Sequence, residues 1–301
     1  MFYKHARVEY HPVGVVGAIV PWNYPFHNIF NPLTAALFAG NGIVVKVSEH
    51  AAWSGAAYGR VIDAALAAAG APAGLVQIVT GAAGMGRGAG LEDGGRWTGA
   101  RWWAGKAGAG AGAELPAVVA SQEETFPQAP TLTSSPLLAL PCSPAPFFPR
   151  PPGYAEAGSA LVTSGVGKLI FVGSTGVGRK VMEAAAATLT PVVLELGGKD
   201  AFVVCGDADL GAVLPTALRG AFQSCGQNCA GAERFIVEES VHDEFVARAA
   251  EAVGRMRQGP ASGAALVDVG AMCMPGQAEA VHALVVDAVK HGAKVGGVGV
   301  G

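Results

Sequence analysis

The stretch that most constrains how this chain can fold runs from Gly42 to Val79. GIVVKV at 42–47 is a short apolar run rich in β-branched residues, and LVQIV at 75–79 is another. Between them lies an alanine-rich segment, 48–70, with Ser48 placed to cap its start. Two parallel strands cannot be joined by a tight turn and need a crossover, so strand, helix, strand at this spacing reads as a βαβ unit. The expected class is α/β, built on a parallel sheet.

The same grammar recurs on both sides. VEYHPVGVVGAIV, 8–20, is β-rich but broken by glycines and a proline. PWNYPFHN carries two prolines, so a loop is expected, with a short helix only from Pro32 to Ala39 before Gly40. From 154 the pattern predicts a helix to 165, a strand over 168–174 and a helix over 174–189. PVVLELGG and DAFVVC follow as strands, then a helix over 207–224, the strand RFIVEES and an amphipathic helix, 241–256. From about residue 262 the sequence thins toward glycine, and no completed element is expected.

One stretch does not fit. Positions 82–113 hold 11 glycines and positions 114–153 hold 10 of the chain's 19 prolines, so 82–153 lacks sustained periodicity and is predicted to be disordered. A structureless loop of that length inside a compact domain argues against its belonging to the fold. Joining LVQIVTG directly to YAEAGSALVTSG restores a loop of ordinary length, which suggests a retained intron or an error of gene prediction.

Composition excludes several functions. A net charge of −3 without a basic stripe argues against nucleic acid as a partner. No apolar run reaches the ~18–20 residues that span a bilayer, and MFYKHARVEY at the start lacks the apolar core of a signal peptide. The 5 cysteines are scattered, form no CxxC pair and suit a reducing compartment. Cys225 and Cys229 could share a helical face, but two thiols without His or Asp partners make a poor metal site, so no metal is expected. A cytoplasmic location is one expectation, and the compartment stays unknown from sequence, since a lost N-terminal region could have carried an anchor or a targeting signal.

Several short stretches carry possible chemistry, each with an ordinary alternative. Cys229 sits in FQSCGQNCAG, a glycine-broken polar turn from which a thiol could reach a substrate; most such cysteines are small buried hydrophobes. Glu195 lies within VVLELGG, where a carboxylate flanked by apolar residues would be costly to ionise and would suit a general base. A buried glutamate satisfied by backbone groups reads equally well. Asn23, held between Pro21 and Pro25, offers an amide donor for an oxyanion, or simply a turn. Lys46 and Glu49 close the 42–47 strand and could bracket a ribose, or form a solvated surface pair. GSTGVG, 173–178, follows a strand and opens a helix, as a phosphate site or a plain turn would.

Taken together, PWNYP, VVKVSEH, IFVGSTGVG, LELGGKDAFVV and FQSCGQNCAG, in that order, resemble the aldehyde dehydrogenase superfamily across 8–81 and 154 to roughly 290. The wording of GQNCAGAERF looks most like a plant and algal branch. The resemblance implies oxidation of an aldehyde to a carboxylic acid with NAD(P)+. Cys229 would be the nucleophile that forms a thiohemiacetal and then a thioester, Asn23 the oxyanion donor and Glu195 the base for water. Lys46 and Glu49 would hold the adenosine ribose, Gly173 and Ser174 the pyrophosphate, and Trp22 would line the cleft. NAD is favoured, with NADP possible, because the Glu49 carboxylate would repel a 2′-phosphate.

The resemblance implies a Rossmann-like cofactor domain, 8–197, interrupted by 82–153, and a partial α/β catalytic domain, 198–301. It implies a small aldehyde as substrate and a homo-oligomer, although the segments that build the dimer are expected to be missing. Val47 departs from the proline usual after the motif lysine. The rival expectations are a catalytically silent fragment and a thioester or ester hydrolase using the same Cys229 and Glu195.

Overall fold

The computed structural model describes residues 7–80, 91–92, 96–97, 154–260 and 266–296. In chain order the elements are β1 (Val15–Val20), α1 (Pro25–Phe38), β2 (Gly42–Val47), α2 (Ala52–Ala68) and β3 (Val76–Val79). A two-residue pair follows, β4 (Leu91–Glu92) antiparallel to β5 (Arg96–Trp97). The rest of the predicted 82–153 stretch lies outside the described residues. Next come α3 (Tyr154–Thr163), β6 (Lys168–Gly173), α4 (Thr175–Ala186) and β7 (Val192–Leu196). Then follow β8 (Ala201–Val204), α5 (Leu210–Phe222), β9 (Arg234–Val237), α6 (Glu239–Gly254) and α7 (Pro275–Lys290).

Among the described residues, five strands form one parallel sheet in the order β3-β2-β1-β6-β7. In β1, Val16, Ala18 and Val20 are buried on one face, while Val15 and Ile19 pack on the other. A strand buried on both faces needs helices on both. Ile29 and Leu33 of α1 and Ile62 of α2 supply one cover, against Val16 and Val45. Leu161 and Val162 of α3 and Val181 of α4 supply the other, against Leu169 and Phe171. The chain winds outward from β1 to β3, then returns to the opposite side of β1, so the winding reverses between β1 and β6. Two approaches are close enough to require glycine. A Cβ on Gly167 would stand 2.2 Å from the Val13 carbonyl oxygen, and one on Gly178 would stand 2.8 Å from Leu196 Cδ2.

A second, two-stranded parallel sheet pairs β8 with β9, Ala201 opposite Arg234 through Val204 opposite Val237. Between these strands runs α5, whose N-cap Asp209 accepts the Gly211 N–H at 2.9 Å. Val204, Leu210, Ala217 and Phe245 form its small core. The Phe202 and Phe235 rings pack against each other with centroids 5.4 Å apart.

The structure corrects two expectations. The helix after β1 begins at Pro25 rather than Pro32, because a proline at the first helical position lacks only an N–H that the helix does not use. Pro32 sits buried inside the same helix. The other correction is α7, a helix of 16 residues where no completed element was expected. Pro275 opens it, and Ala278, Val281, Val285 and Ala288 recur at three- and four-residue spacing, a weak amphipathic signal masked by the glycines around it. Among the described residues no helix is long and apolar enough to cross a membrane.

Leu169 is fully buried between the helical layers, so Leu169→Ala should destabilise the protein by about 2–5 kcal/mol. Urea unfolding followed by circular dichroism measures this. A second expectation concerns the loop after α6. Arg257 Nε and Nη2 each donate to the Asp268 carboxylate at 2.9 Å, and the Arg257 N–H adds a third bond of 2.9 Å. These hydrogen bonds and the guanidinium charge hold the Asp268 carboxyl well below the usual carboxylate range. A depressed folded value means that the clamp contributes above the ordinary aspartate pKa of about 3.9 and is lost as pH falls further. Carboxyl NMR titration should find Asp268 still ionised where other aspartates are half protonated, and Arg257→Gln should return it to their range.

Candidate active site

Because all five strands of the larger sheet point the same way, their carboxyl ends lie along one edge. Four of the sequence motifs sit on that edge: Trp22 and Asn23 after β1, Lys46 in β2 with Glu49 just beyond, Gly173 and Ser174 at the end of β6, and Glu195 in β7. In an open parallel sheet the crevice outside the carboxyl ends, where the winding reverses, is where ligands bind. Here that point lies between β1 and β6.

The fifth motif comes from far along the chain and is tied to this edge by hydrogen bonds. The Asn23 Nδ2 donates to the Gln227 carbonyl at 2.9 Å. The Tyr24 hydroxyl bonds to Asn228 Oδ1 and accepts from Gln223 Nε2 at 3.1 Å. The Gly198 N–H, just past β7, reaches the Cys229 carbonyl at 3.4 Å. Cys229, half-buried, therefore stands on a loop stapled both to the Asn23 turn and to the end of the Glu195 strand.

The cysteine loop is shaped by side-chain amides. After α5, residues 223–226 form a 3-10 turn in which Ser224 and Cys225 adopt left-handed conformations, with φ of 55° and 58°. Such angles cost non-glycine residues about 1–2 kcal/mol each. They are held by Asn228 Nδ2 donating to the Gln223 carbonyl at 2.8 Å and Gln227 Nε2 to the Ser224 carbonyl at 2.9 Å. Gln227 Oε1 also accepts the Cys273 N–H at 2.9 Å, joining the segment before α7 to the same loop. Cys225 is thus not on a helical face with Cys229, which removes the geometry considered from spacing alone.

The Asn23 amide is fixed from behind. Asn28, in the first turns of α1, donates through Nδ2 to Asn23 Oδ1 at 3.2 Å and to the Pro21 carbonyl at 3.3 Å. Trp22 is half-buried beside it. Lys46 and Glu49 form an ion pair of 2.8 Å with side chains only 7% and 15% exposed. The solvated-pair alternative is therefore wrong. A buried pair is not by itself a stabilising device, and its position at a sheet edge fits a binding role better.

Two expectations need adjustment. Glu195 is exposed, because residues alternate between exposed and half-buried along β7, the last strand of the sheet. The burial that its apolar neighbours suggested does not occur. Gly173 also has a packing explanation, since a Cβ there would stand 2.7 Å from Phe171 Cζ. Ser174 is exposed at the N-cap of α4, and its hydroxyl makes no capping bond to the N–H groups of that first turn.

No sequence motif singles out Tyr24, Asn28, Gln223, Gln227 or Asn228. The available signal was the density of amide side chains in both loops, more than a simple turn needs. Tyr24→Phe removes the hydroxyl bridging Gln223 and Asn228, at a net cost of about 0.5–1.5 kcal/mol for each bond lost. Peptide mass spectrometry of alkylated protein should show Cys229 reacting faster in Tyr24→Phe than in the parent.

Comparison with known proteins places this geometry among relatives. A family model described as the aldehyde dehydrogenase family matches residues 3–90 and 150–299, and the gap between the two matches falls inside the aperiodic stretch. An aldehyde dehydrogenase-like protein of Saccharomyces cerevisiae is 33% identical over 298 residues, covering 98% of this chain and 36% of that protein. Among solved structures, an aldehyde dehydrogenase from Brucella melitensis biovar abortus 2308 aligns with a TM-score of 0.67 and 28% identity, over 97% of this chain and 45% of that one. PnpE in complex with nicotinamide adenine dinucleotide aligns with a TM-score of 0.65 and 25% identity, over 94% of this chain and 43% of that one. The chain thus spans less than half the length of each.

Proposed function

Because this chain belongs to the aldehyde dehydrogenase family, we propose that it works as the family does, oxidising a small aldehyde to a carboxylic acid with NAD(P)+ through Cys229. The observation that carries this reading is the stapling of the Cys229 loop to the Asn23 turn at the carboxyl edge of the parallel sheet. Residues 8–197 would serve as the cofactor-binding part and 198–301 as the part presenting the thiol.

The Cys229 sulfur, as thiolate, attacks the aldehyde carbon to give a tetrahedral thiohemiacetal. One N–H of the Asn23 amide is engaged by Gln227, and the other, with the Cys229 N–H, receives the developing oxyanion. Lys46 and Glu49 would hold the cofactor's ribose, and Gly173 with Ser174 its pyrophosphate at the α4 N-terminus, with Trp22 along the cleft. The fit is supported by the Lys46–Glu49 pair, whose side chains are largely buried, and by the exposed first turn of α4, which its N-cap side chain leaves uncapped. When bound, the nicotinamide supplies the hydride acceptor that turns the thiohemiacetal into a thioester. Glu195, exposed to solvent, takes a proton from water as that water attacks the thioester carbonyl, and the Cys229 thiolate leaves with the acid released. The Glu49 carboxylate favours NAD over NADP. A reducing compartment such as the cytoplasm keeps Cys229 free for this chemistry.

A second reading is favoured by one observation. Val203 and Ile236, paired across the smaller sheet, are exposed at 63% and 50%, and Leu284 on α7 is exposed at 69%; apolar side chains left in water suit a catalytically silent fragment.

An NADH absorbance assay with a series of small aldehydes separates these readings. Aldehyde-dependent NADH formation is expected, abolished in Cys229→Ser and reduced by about 10²–10³ in kcat in Asn23→Ala. Full activity in Cys229→Ser would overturn the nucleophile assignment. Ester turnover without NADH would identify a hydrolase, and no turnover at all a silent fragment.

A further inference from the structure

An asparagine can serve as an oxyanion donor only if its NH2 end, not its oxygen, faces the reacting carbon. The two ends of the amide are nearly the same size, so packing alone does not choose between them, and the hydrogen-bond partners must. We propose that Asn28 is the positioning residue that makes this choice for Asn23, a proposal that rests on the oxyanion role given to Asn23 above.

Helix geometry and the count of donors and acceptors put Asn28 in this role. The Asn28 N–H donates to the Tyr24 carbonyl at 2.9 Å, the first intrahelical bond of α1. Side chains on a helix tilt toward its N-terminus, so a residue one turn in covers the chain that enters the helix. Asn28 accordingly reaches back over the turn, and its Nδ2 donates to Asn23 Oδ1 at 3.2 Å and to the Pro21 carbonyl at 3.3 Å. Both hydrogens of the Asn28 amide are thus used on two acceptors, and its own orientation is set by the Pro21 carbonyl, which can only accept. Asn28 is only 8% exposed, so water is a poor substitute for either bond.

On the far side, Asn23 Nδ2 meets the Gln227 carbonyl at 2.9 Å, another pure acceptor. Reversing the Asn23 amide would set its oxygen against the Gln227 oxygen and its NH2 against the Asn28 NH2, losing both bonds at once. A backbone carbonyl at Pro21 therefore orients Asn28, Asn28 orients Asn23, and the NH2 of Asn23 is presented to the Cys229 loop. A leucine at position 28 would fill similar space and leave Asn23 Oδ1 without its donor. An aspartate would keep the shape but offer only acceptors, and would favour the reversed amide.

The test has a spectroscopic arm and a kinetic arm. In 15N–1H spectra of the full chain, the Asn23 side-chain NH2 pair, identified by its absence in Asn23→Ala, is expected to be protected from solvent exchange. Asn28→Leu should shift that pair toward the position of exposed asparagines. In steady-state assays, Asn28→Leu should lower kcat by about tenfold or more with KM changed less than about twofold. Asn28→Asp should fall further, toward Asn23→Ala, whose loss sets the limit of about 10²–10³. A merely structural role would lower thermal stability or raise KM without ranking the isosteric aspartate below leucine.

The proposal is overturned if the Asn23 pair exchanges freely in the parent protein, or keeps its position in Asn28→Leu, or if both variants retain the parent kcat. Should the parent itself form no NADH, the functional reading fails, and the side-chain spectra alone decide whether Asn28 orients Asn23. If neither variant folds, protection of the pair in the parent decides it.

Discussion

The structure depends on the parallel pairing of β1 along both of its edges. Val15 lies opposite Gly42 on one side, and Val16 lies opposite Lys168 on the other. Parallel pairing forbids tight turns, so helices must return the chain, and burial of both faces of β1 requires those helices on both sides. Once that is granted, every strand of the sheet ends at the same edge. The Asn23 turn, Lys46, Ser174 and Glu195 gather there because of topology, not because of any attraction among them.

The cysteine loop is a different case. Its place is fixed by polar contacts between residues about two hundred positions apart: Asn23 to Gln227, Tyr24 to Asn228 and Gln223 to Tyr24. Each is a modest interaction by itself. Together they hold a backbone that includes two left-handed non-glycine residues, Ser224 and Cys225. Strain of this kind persists only where the surroundings determine it several times over, and two of the amides that hold the loop, Gln227 and Asn228, immediately precede Cys229 in the chain.

How much of this is legible in the sequence varies with the length scale of the cause. Strands such as GIVVKV are legible to the residue, because an apolar run bounded by glycine and serine has few other uses. The start of α1 is not legible there, because Pro25 is permitted at the first helical position and a rule that treats proline as a breaker overlooks it. Glu195 was expected to be buried because its sequence neighbours are apolar. It is exposed because residues on β7 alternate in exposure, and local composition does not say which strand ends the sheet.

The sequence by itself determined the parallel α/β class, the family resemblance and the identity of the residues able to do chemistry, since these follow from short-range patterns of hydrophobicity and from side-chain type. Only the tertiary structure decided that Lys46 and Glu49 are a buried pair rather than a solvated one, and that Asn28 stands behind Asn23. Only it decided that Tyr24 bridges to the loop of Cys229. Those outcomes depend on strand order and on which groups meet across the fold, and neither is encoded in any one stretch of chain.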